Sequence, residues 1–150
     1  MSTAAPLPRR VTQIAFVVRD INEAKARFAR LFGLPEPGIM TTAPGFQCAQ
    51  TFEGEPSDAQ AYLAFFDLEN VQLELIQPLG GASSWQAFLD AHGEGVHHLG
   101  FWTEDLPASR EGLAAEKMPE MHYGQFDGGE FSYADSASQM GCLIELLGKR

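Results

Sequence analysis

The pattern of apolar positions along the chain occurs twice. Gln13-Ile-Ala-Phe-Val-Val-Arg-Asp-Ile21 lies over His98-Leu-Gly-Phe-Trp-Thr-Glu-Asp-Leu106, residue for residue. Each stretch suits a half-buried strand, then gives Asp, then an apolar residue that opens a helical segment. In the first copy Ile21, Ala24, Phe28 and Leu31 recur at helical spacing with charged residues between them, and Gly33 follows as a stop. In the second copy Leu106, Leu113 and Ala114 form a sparser stripe, Pro107 falls in the first turn, and the helix is expected to end near Lys117.

Three further strand-like segments follow each helix: 46–53, 61–67 and 71–77 in the first copy, 120–125, 130–134 and 142–147 in the second. The last strands match, Leu73-Glu-Leu-Ile76 against Ile144-Glu-Leu-Leu147, so each copy reads β-α-β-β-β. Between the copies Ser83 to Gly93 reads as a linker helix with a Ser cap and a Gly stop. The expected fold is therefore α+β: two tandem βαβββ modules, over 11–80 and 96–148, joined by a linker helix over 83–93 and preceded by a disordered leader over 1–10. A curved sheet of three or four strands cannot bury a face alone, so the modules should pair as curved mixed sheets around one cavity.

Composition narrows the partners. The chain has 150 residues, the size of one domain, and its aromatic-rich, 45% hydrophobic composition is that of a globular protein. A formal net charge of −10 would repel phosphate backbones and anionic bilayers, so neither nucleic acid nor a membrane is expected as partner. Lys25, Arg27 and Arg30, near Arg9, Arg10 and Arg19, form the one basic cluster and read as a solvated helix face or as help for an anionic substrate. Cys48 and Cys142 have neither zinc-finger nor disulfide-framework spacing, which fits a reducing cytoplasm. No apolar run approaches the ~20 residues needed to span a bilayer.

The repeat also singles out polar residues. Strand alternation puts Gln13 on a face with Ala15 and Val17, His98 with Gly100 and Trp102, Glu74 with Gln72 and Ile76, and Glu145 with Leu143 and Leu147. A Glu among apolar strand residues either faces solvent or needs a partner, since burying it alone is costly. Here the feature occurs twice at equivalent positions, Glu74 and Glu145, together with His98 and its repeat mate Gln13. A pseudo-twofold would bring all four to one divalent ion that neutralises both carboxylates. Three oxygens and one imidazole nitrogen suit six-coordinate Zn, Ni, Co, Mn or Mg with two positions open to a bidentate oxygen ligand. The segment 118–126 and the rings of Phe131 and Tyr133 line a pocket or pack the core; His122 is expected at the surface or the pocket edge.

The duplicated halves, His97-His98-Leu-Gly-Phe101 and the paired Leu-Glu-Leu and Ile-Glu-Leu strands resemble the vicinal oxygen chelate superfamily over residues 11–148. That superfamily includes glyoxalase I, methylmalonyl-CoA epimerase, antibiotic-resistance proteins and extradiol dioxygenases. Val71 to Leu79, the Trp85-to-Leu89 helix and Gly93 to Phe101 look most like the epimerases. Gln13 departs from the His usual at their first ligand position, and Tyr62, Leu63 and Ala64 stand where their further glutamate base is expected. The set Gln13, Glu74, His98, Glu145 instead resembles that of eukaryotic-like glyoxalase I, which makes Glu145 the leading base and Glu74 a ligand and second proton acceptor; Arg19 and Arg110 are the cations available to glutathione.

The resemblance implies a metal-dependent isomerase, epimerase or lyase acting next to a carbonyl through an enediolate, on a small molecule with vicinal oxygens or a thioester, in a homodimer. The alternatives are a non-catalytic protein that binds a small molecule for resistance or sensing, and an extradiol-type dioxygenase. Gln13 argues against the dioxygenase because the iron site there uses two His and one carboxylate.

Overall fold

The computed structural model describes residues 5–150. The first module runs β1 (Gln13–Val17), α1 (Ile21–Phe32), β2 (Met40–Thr41), β3 (Thr51–Phe52), β4 (Glu55–Pro56), β5 (Ala61–Asp67) and β6 (Gln72–Pro78). α2 (Ser84–His92) leads to the second module: β7 (Gly95–Trp102), α3 (Leu106–Ala115), β8 (Glu120–Phe126), β9 (Gly129–Ala134), α4 (Ala137–Met140) and β10 (Leu143–Lys149). The strands form one mixed sheet in the order β2-β5-β6-β1-β7-β10-β9-β8-β3-β4, curled into a half-barrel in an α+β fold.

The helix boundaries follow from local chemistry. Asp20 caps α1 by accepting from the Glu23 amide, and Gly33 closes it in the left-handed region at φ 67°, where a side chain would be strained. Ser83 caps α2 through the Gln86 amide, and Asp105 caps α3 through the Ala108 amide with Pro107 in the first turn. The expected apolar stripes hold in part. Ile21 and Ala24 are buried and Phe28 packs beside them, but Leu31 is 76% exposed, because the last turn packs through Ala29 and Phe32 instead, Phe32 against Phe66, and Leu31 falls outside that face. In α3, Ala114 is exposed and Ser109 takes the inward position, bonded to Thr103 Oγ1 at 2.7 Å.

The two copies join within one chain. β1 pairs in parallel with β6, β7 in parallel with β10, and β1 meets β7 antiparallel, so a pseudo-twofold axis runs between β1 and β7. Three apolar clusters follow from the layering. One lies beneath α1 with Ile21, Leu73 and Leu75; a second beneath α3 with Leu106, Leu113, Ile144 and Leu146; the third fills the concave side with Ala15, Val17, Ile76 and Leu143.

The strand expected over 46–53 forms differently. Residues Gly45–Gln47 make a 3-10 turn, and only Thr51–Phe52 is extended. That short strand pairs on one edge with β4 of its own module and on the other with β8 of the second module, Thr51 opposite Tyr123 and Phe52 opposite His122. Gly45 packs so closely on the Ser57 carbonyl that any Cβ there would overlap it. The segment from β2 to β4 thus crosses from one end of the sheet to the other. Of the leader, residues 1–4 lie outside the described residues, and Leu7 packs against the core beneath α3.

Candidate functional site

Four central strands carry the site in two cross-strand rows. Glu74, Ala15, His98 and Leu143 are consecutive partners in one row; Gln72, Gln13, Gly100 and Glu145 form the next. The pseudo-twofold exchanges the rows, pairing Gln13 with His98, Glu74 with Glu145, and the small residues Ala15 with Gly100. The small residues leave room for the polar ones to meet. A Cβ on Gly100 would stand 3.0 Å from Gln13 Cβ and 3.1 Å from Glu145 Oε1.

All four side chains are buried and converge on the His98 Nε2 atom, which lies 2.8 Å from Gln13 Oε1, 3.3 Å from Glu145 Oε1 and 3.6 Å from Glu74 Oε1. The Gln13 amide nitrogen donates to Gln72 Oε1 at 2.9 Å, which turns its oxygen toward His98. Glu145 Oε1 has no hydrogen-bond partner, the one buried side-chain nitrogen or oxygen in that state among the described residues. Burial first, and then the charge of Glu145, hold the Glu74 carboxyl well above the usual carboxylate range. Burial and both carboxylates likewise push the Tyr133 phenol well above its ordinary value.

The carboxylates and Gln13 open onto a cavity of about 440 Å³ walled by Leu63, Phe65, Trp85, Phe131 and Tyr133, with the half-exposed rings of Trp102 and Phe126 also lining it. Of the two roles expected for Phe131 and Tyr133, pocket wall or core, the rings take both: they line the cavity and pack in the concave apolar cluster. The volume lies within the range of small-molecule sites. The crossing segment supplies a further wall through Thr42, Cys48 and Gln50.

The sequence profile of the Glyoxalase/Bleomycin resistance protein/Dioxygenase superfamily matches residues 12–133. The chain belongs to this superfamily. Within it, the ethylmalonyl-CoA/methylmalonyl-CoA epimerase of Cereibacter sphaeroides is 28% identical over 142 residues, covering 91% of this chain and 96% of the relative. An uncharacterised Bacillus subtilis protein, YqjC, is 28% identical over 109 residues, 73% of this chain and 68% of its own length. Among solved structures, methylmalonyl-CoA epimerase from Mycobacterium tuberculosis superposes with a TM-score of 0.64 at 18% identity, covering 99% of this chain and 93% of the other. A methylmalonyl-CoA epimerase in complex with methylmalonyl-CoA and an ammonium ion gives 0.62 at 18% identity, covering 93% and 94%. These structures share the superfamily's fold, and the vicinal oxygen chelate resemblance read from the sequence agrees with them.

Two carboxylates, a carboxamide oxygen and an imidazole nitrogen are a suitable donor set for a divalent ion, and the unpartnered Glu145 oxygen is the kind of atom such an ion would satisfy. The side chains nevertheless close on His98 Nε2 itself. No group of three or more His, Cys, Asp or Glu among the described residues is spread to hold an ion as it stands.

The cations nominated for an anionic ligand include several that are paired with carboxylates. Arg19 pairs with Glu94, Arg27 with Glu23 and Lys25 with Glu36, while Arg110 contacts Glu120 at 2.9 Å and stacks over Tyr123. His122, expected at the surface or pocket edge, is fully buried, as is His97. For His97 the cause is a bulge in β7, where His98 opposes Ala15 while Val96 opposes Phe16, leaving His97 as the extra residue; β8 carries its own register shift between Glu120 and His122. Both adjacent imidazoles therefore point inward, with their Nδ1 atoms 2.8 Å apart.

Proposed function

We propose that this chain is an enzyme that moves a proton at the carbon next to a thioester carbonyl, an epimerase or isomerase acting on a 2-branched acyl-CoA. The observation that carries the reading is the convergence of Gln13, Glu74, His98 and Glu145 on one point beside an apolar cavity, with a carboxylate oxygen left unpartnered. The C. sphaeroides relative, named for ethylmalonyl-CoA and methylmalonyl-CoA, supports the substrate class.

Gln13, Glu74, His98 and Glu145 would hold a divalent ion. Bound there, the ion would supply Lewis-acid polarisation of the substrate's carbonyl oxygen. The remaining work falls to the chain's own groups. Glu145 Oε1 takes the proton from the adjacent carbon, and its freedom from hydrogen bonds leaves its lone pair available. Glu74 returns a proton on the opposite face; the two carboxyls sit at pseudo-symmetric positions, the disposition epimerisation needs. Trp85, Phe131 and Tyr133 exclude water from the reacting carbon, and the larger part of the thioester would pass Trp102 and Phe126 at the mouth. One chain contains all four ligands, so the homodimer expected from the resemblance would not be needed to complete the site.

The carboxamide ligand Gln13 favours a second reading, a glyoxalase I-like isomerisation of a hemithioacetal. Incubation in deuterium oxide with methylmalonyl-CoA, with a hemithioacetal and with a catechol discriminates between the readings. Solvent deuterium at the 2-position of the acyl-CoA supports the proposal, and turnover of the hemithioacetal alone supports the second reading. Oxygen consumption with the catechol, or tight binding of any of the three without exchange, would overturn both.

A further inference from the structure

Behind His98, on the side away from the cavity's carboxylates, runs a chain of buried polar contacts that the proposed reaction does not use. Gln50 Oε1 meets His122 Nε2 at 2.6 Å, His122 Nδ1 meets Ser84 Oγ at 2.8 Å, Ser84 Oγ meets His97 Nε2 at 3.2 Å, and His97 Nδ1 meets His98 Nδ1 at 2.8 Å. Every member is buried, and its members come from the crossing segment, β8, α2 and β7.

The direction of donation is fixed from one end. The Gln50 amide nitrogen donates to the Ala59 carbonyl at 2.8 Å and to the Ser57 carbonyl at 3.4 Å, both backbone acceptors, so its oxygen must face His122. His122 therefore donates from Nε2, and its Nδ1 is an acceptor. The Ser84 backbone amide, donating to the same Nδ1 at 3.3 Å, independently requires this. Ser84 then spends its hydroxyl hydrogen on His122 Nδ1 and accepts from His97 Nε2. That leaves His97 Nδ1 an acceptor facing His98 Nδ1.

We infer that the Gln50–His122–Ser84–His97 chain is a positioning relay that holds the hydrogen of His98 on Nδ1, so that Nε2 is the atom presented to a cation. The inference deepens the metal reading proposed above and rests on it for its function. Nε2 faces three acceptor oxygens, the nearest Gln13 Oε1 at 2.8 Å, so that space takes either a hydrogen on Nε2 or the cation that would replace it. The one buried oxygen left without a donor, Glu145 Oε1, stands at this open end of the relay. A ligand histidine whose other nitrogen donates to a fixed acceptor is held in one tautomer and orientation, and loss of such a partner weakens metal affinity by roughly ten- to a hundredfold.

Long-range ¹H–¹⁵N correlation on the wild-type protein, with histidine nitrogens labelled, reads the relay directly. His97 and His122 are expected as Nε2–H tautomers with unprotonated Nδ1, and an Nδ1–H tautomer at either would overturn the inference. Zinc affinity, measured by competition with a chelator, is expected to fall about ten- to a hundredfold in Ser84→Ala and to stay near wild type in Ser84→Thr, which keeps the hydroxyl. Equal zinc affinity in Ser84→Ala with the histidine tautomers unchanged would also overturn it. If the wild type bound no zinc, the metal reading of the preceding subsection would fall, and the nitrogen spectra alone would then decide the relay's polarity.

Discussion

Glu145 Oε1 and His98 Nε2 face each other at 3.3 Å across parallel neighbouring strands, and nothing donates to the carboxylate oxygen. Glu145 lies opposite Gly100, two residues on from His98, so the missing side chain at Gly100 is what lets the two approach. A buried carboxylate kept in this state is destabilising unless a cation or a substrate proton completes it.

Replacing Glu145 by Gln keeps the shape and removes the base. Solvent-deuterium incorporation into methylmalonyl-CoA is expected to fall by about 10²–10⁴-fold, the usual worth of a general base. The urea midpoint should be unchanged or higher, since an unsatisfied charge is lost. Undiminished exchange in Glu145→Gln would remove it from the mechanism.

Gly100→Ala tests the packing of the rows. Its Cβ would press on Gln13 Cβ at 3.0 Å and on Glu145 Oε1 at 3.1 Å, within the sheet centre where neither strand can move away. A loss of about 1–3 kcal/mol in stability is expected from overpacking, together with loss of bound metal. Urea denaturation and elemental analysis check the two effects; a variant with wild-type stability and metal content would show that Gly100 does not shape the site.

Gln13→Ala deletes the oxygen closest to His98 Nε2. Metal stoichiometry of the purified protein is expected to drop, while the fold, held at β1 by backbone pairing with β6 and β7 that the substitution leaves in place, is retained by circular dichroism. In the wild type, zinc at about a hundred times its Kd should raise stability by about 2.7 kcal/mol through mass action. A chelator should reverse that gain, and Gln13→Ala should show less of it.

Acid should destabilise the fold from a pH at which most surface groups are indifferent. Burial lowers His122 to about 3, and burial with the neighbouring His98 and His122 holds His97 well below the ordinary imidazole range. Below about pH 6.5 the unfolded chain binds protons on both that the folded chain does not, so stability falls as pH falls toward 3, by about 1.4 kcal/mol per unit for each histidine. Glu74 acts the other way, because its raised folded value lets the folded state bind a proton first. Two histidines against one carboxyl leave a net loss. Urea midpoints measured in chelator between pH 7 and pH 5 should decline, and a flat or rising series would contradict the buried neutral pair.

The repeat was legible in the sequence because strand and helix signals are local. Asp20 and Asp105 cap their helices, Gly33 ends α1, and the alternation around Leu73-Glu-Leu and Ile144-Glu-Leu puts both glutamates on the inner face. The family followed from those motifs. Leu31 and Ala114 fitted a helical stripe but face outward, since spacing marks an apolar stripe while the sheet decides which side of it is covered, Ala29 and Phe32 in α1 and Ser109 in α3.

By itself the sequence determined two βαβββ modules and nominated Gln13, Glu74, His98 and Glu145 as one set, because internal duplication relates distant positions without any coordinates. Only the tertiary structure decided that segment 46–53 crosses to the far module and that a bulge turns His97 inward beside His98. Both outcomes depend on which strands meet at the sheet's ends and centre, a non-local choice that local periodicity does not encode. Gln50, Ser84, His97 and His122 come together only after that choice has been made, so the buried relay behind the site has no signature in the chain.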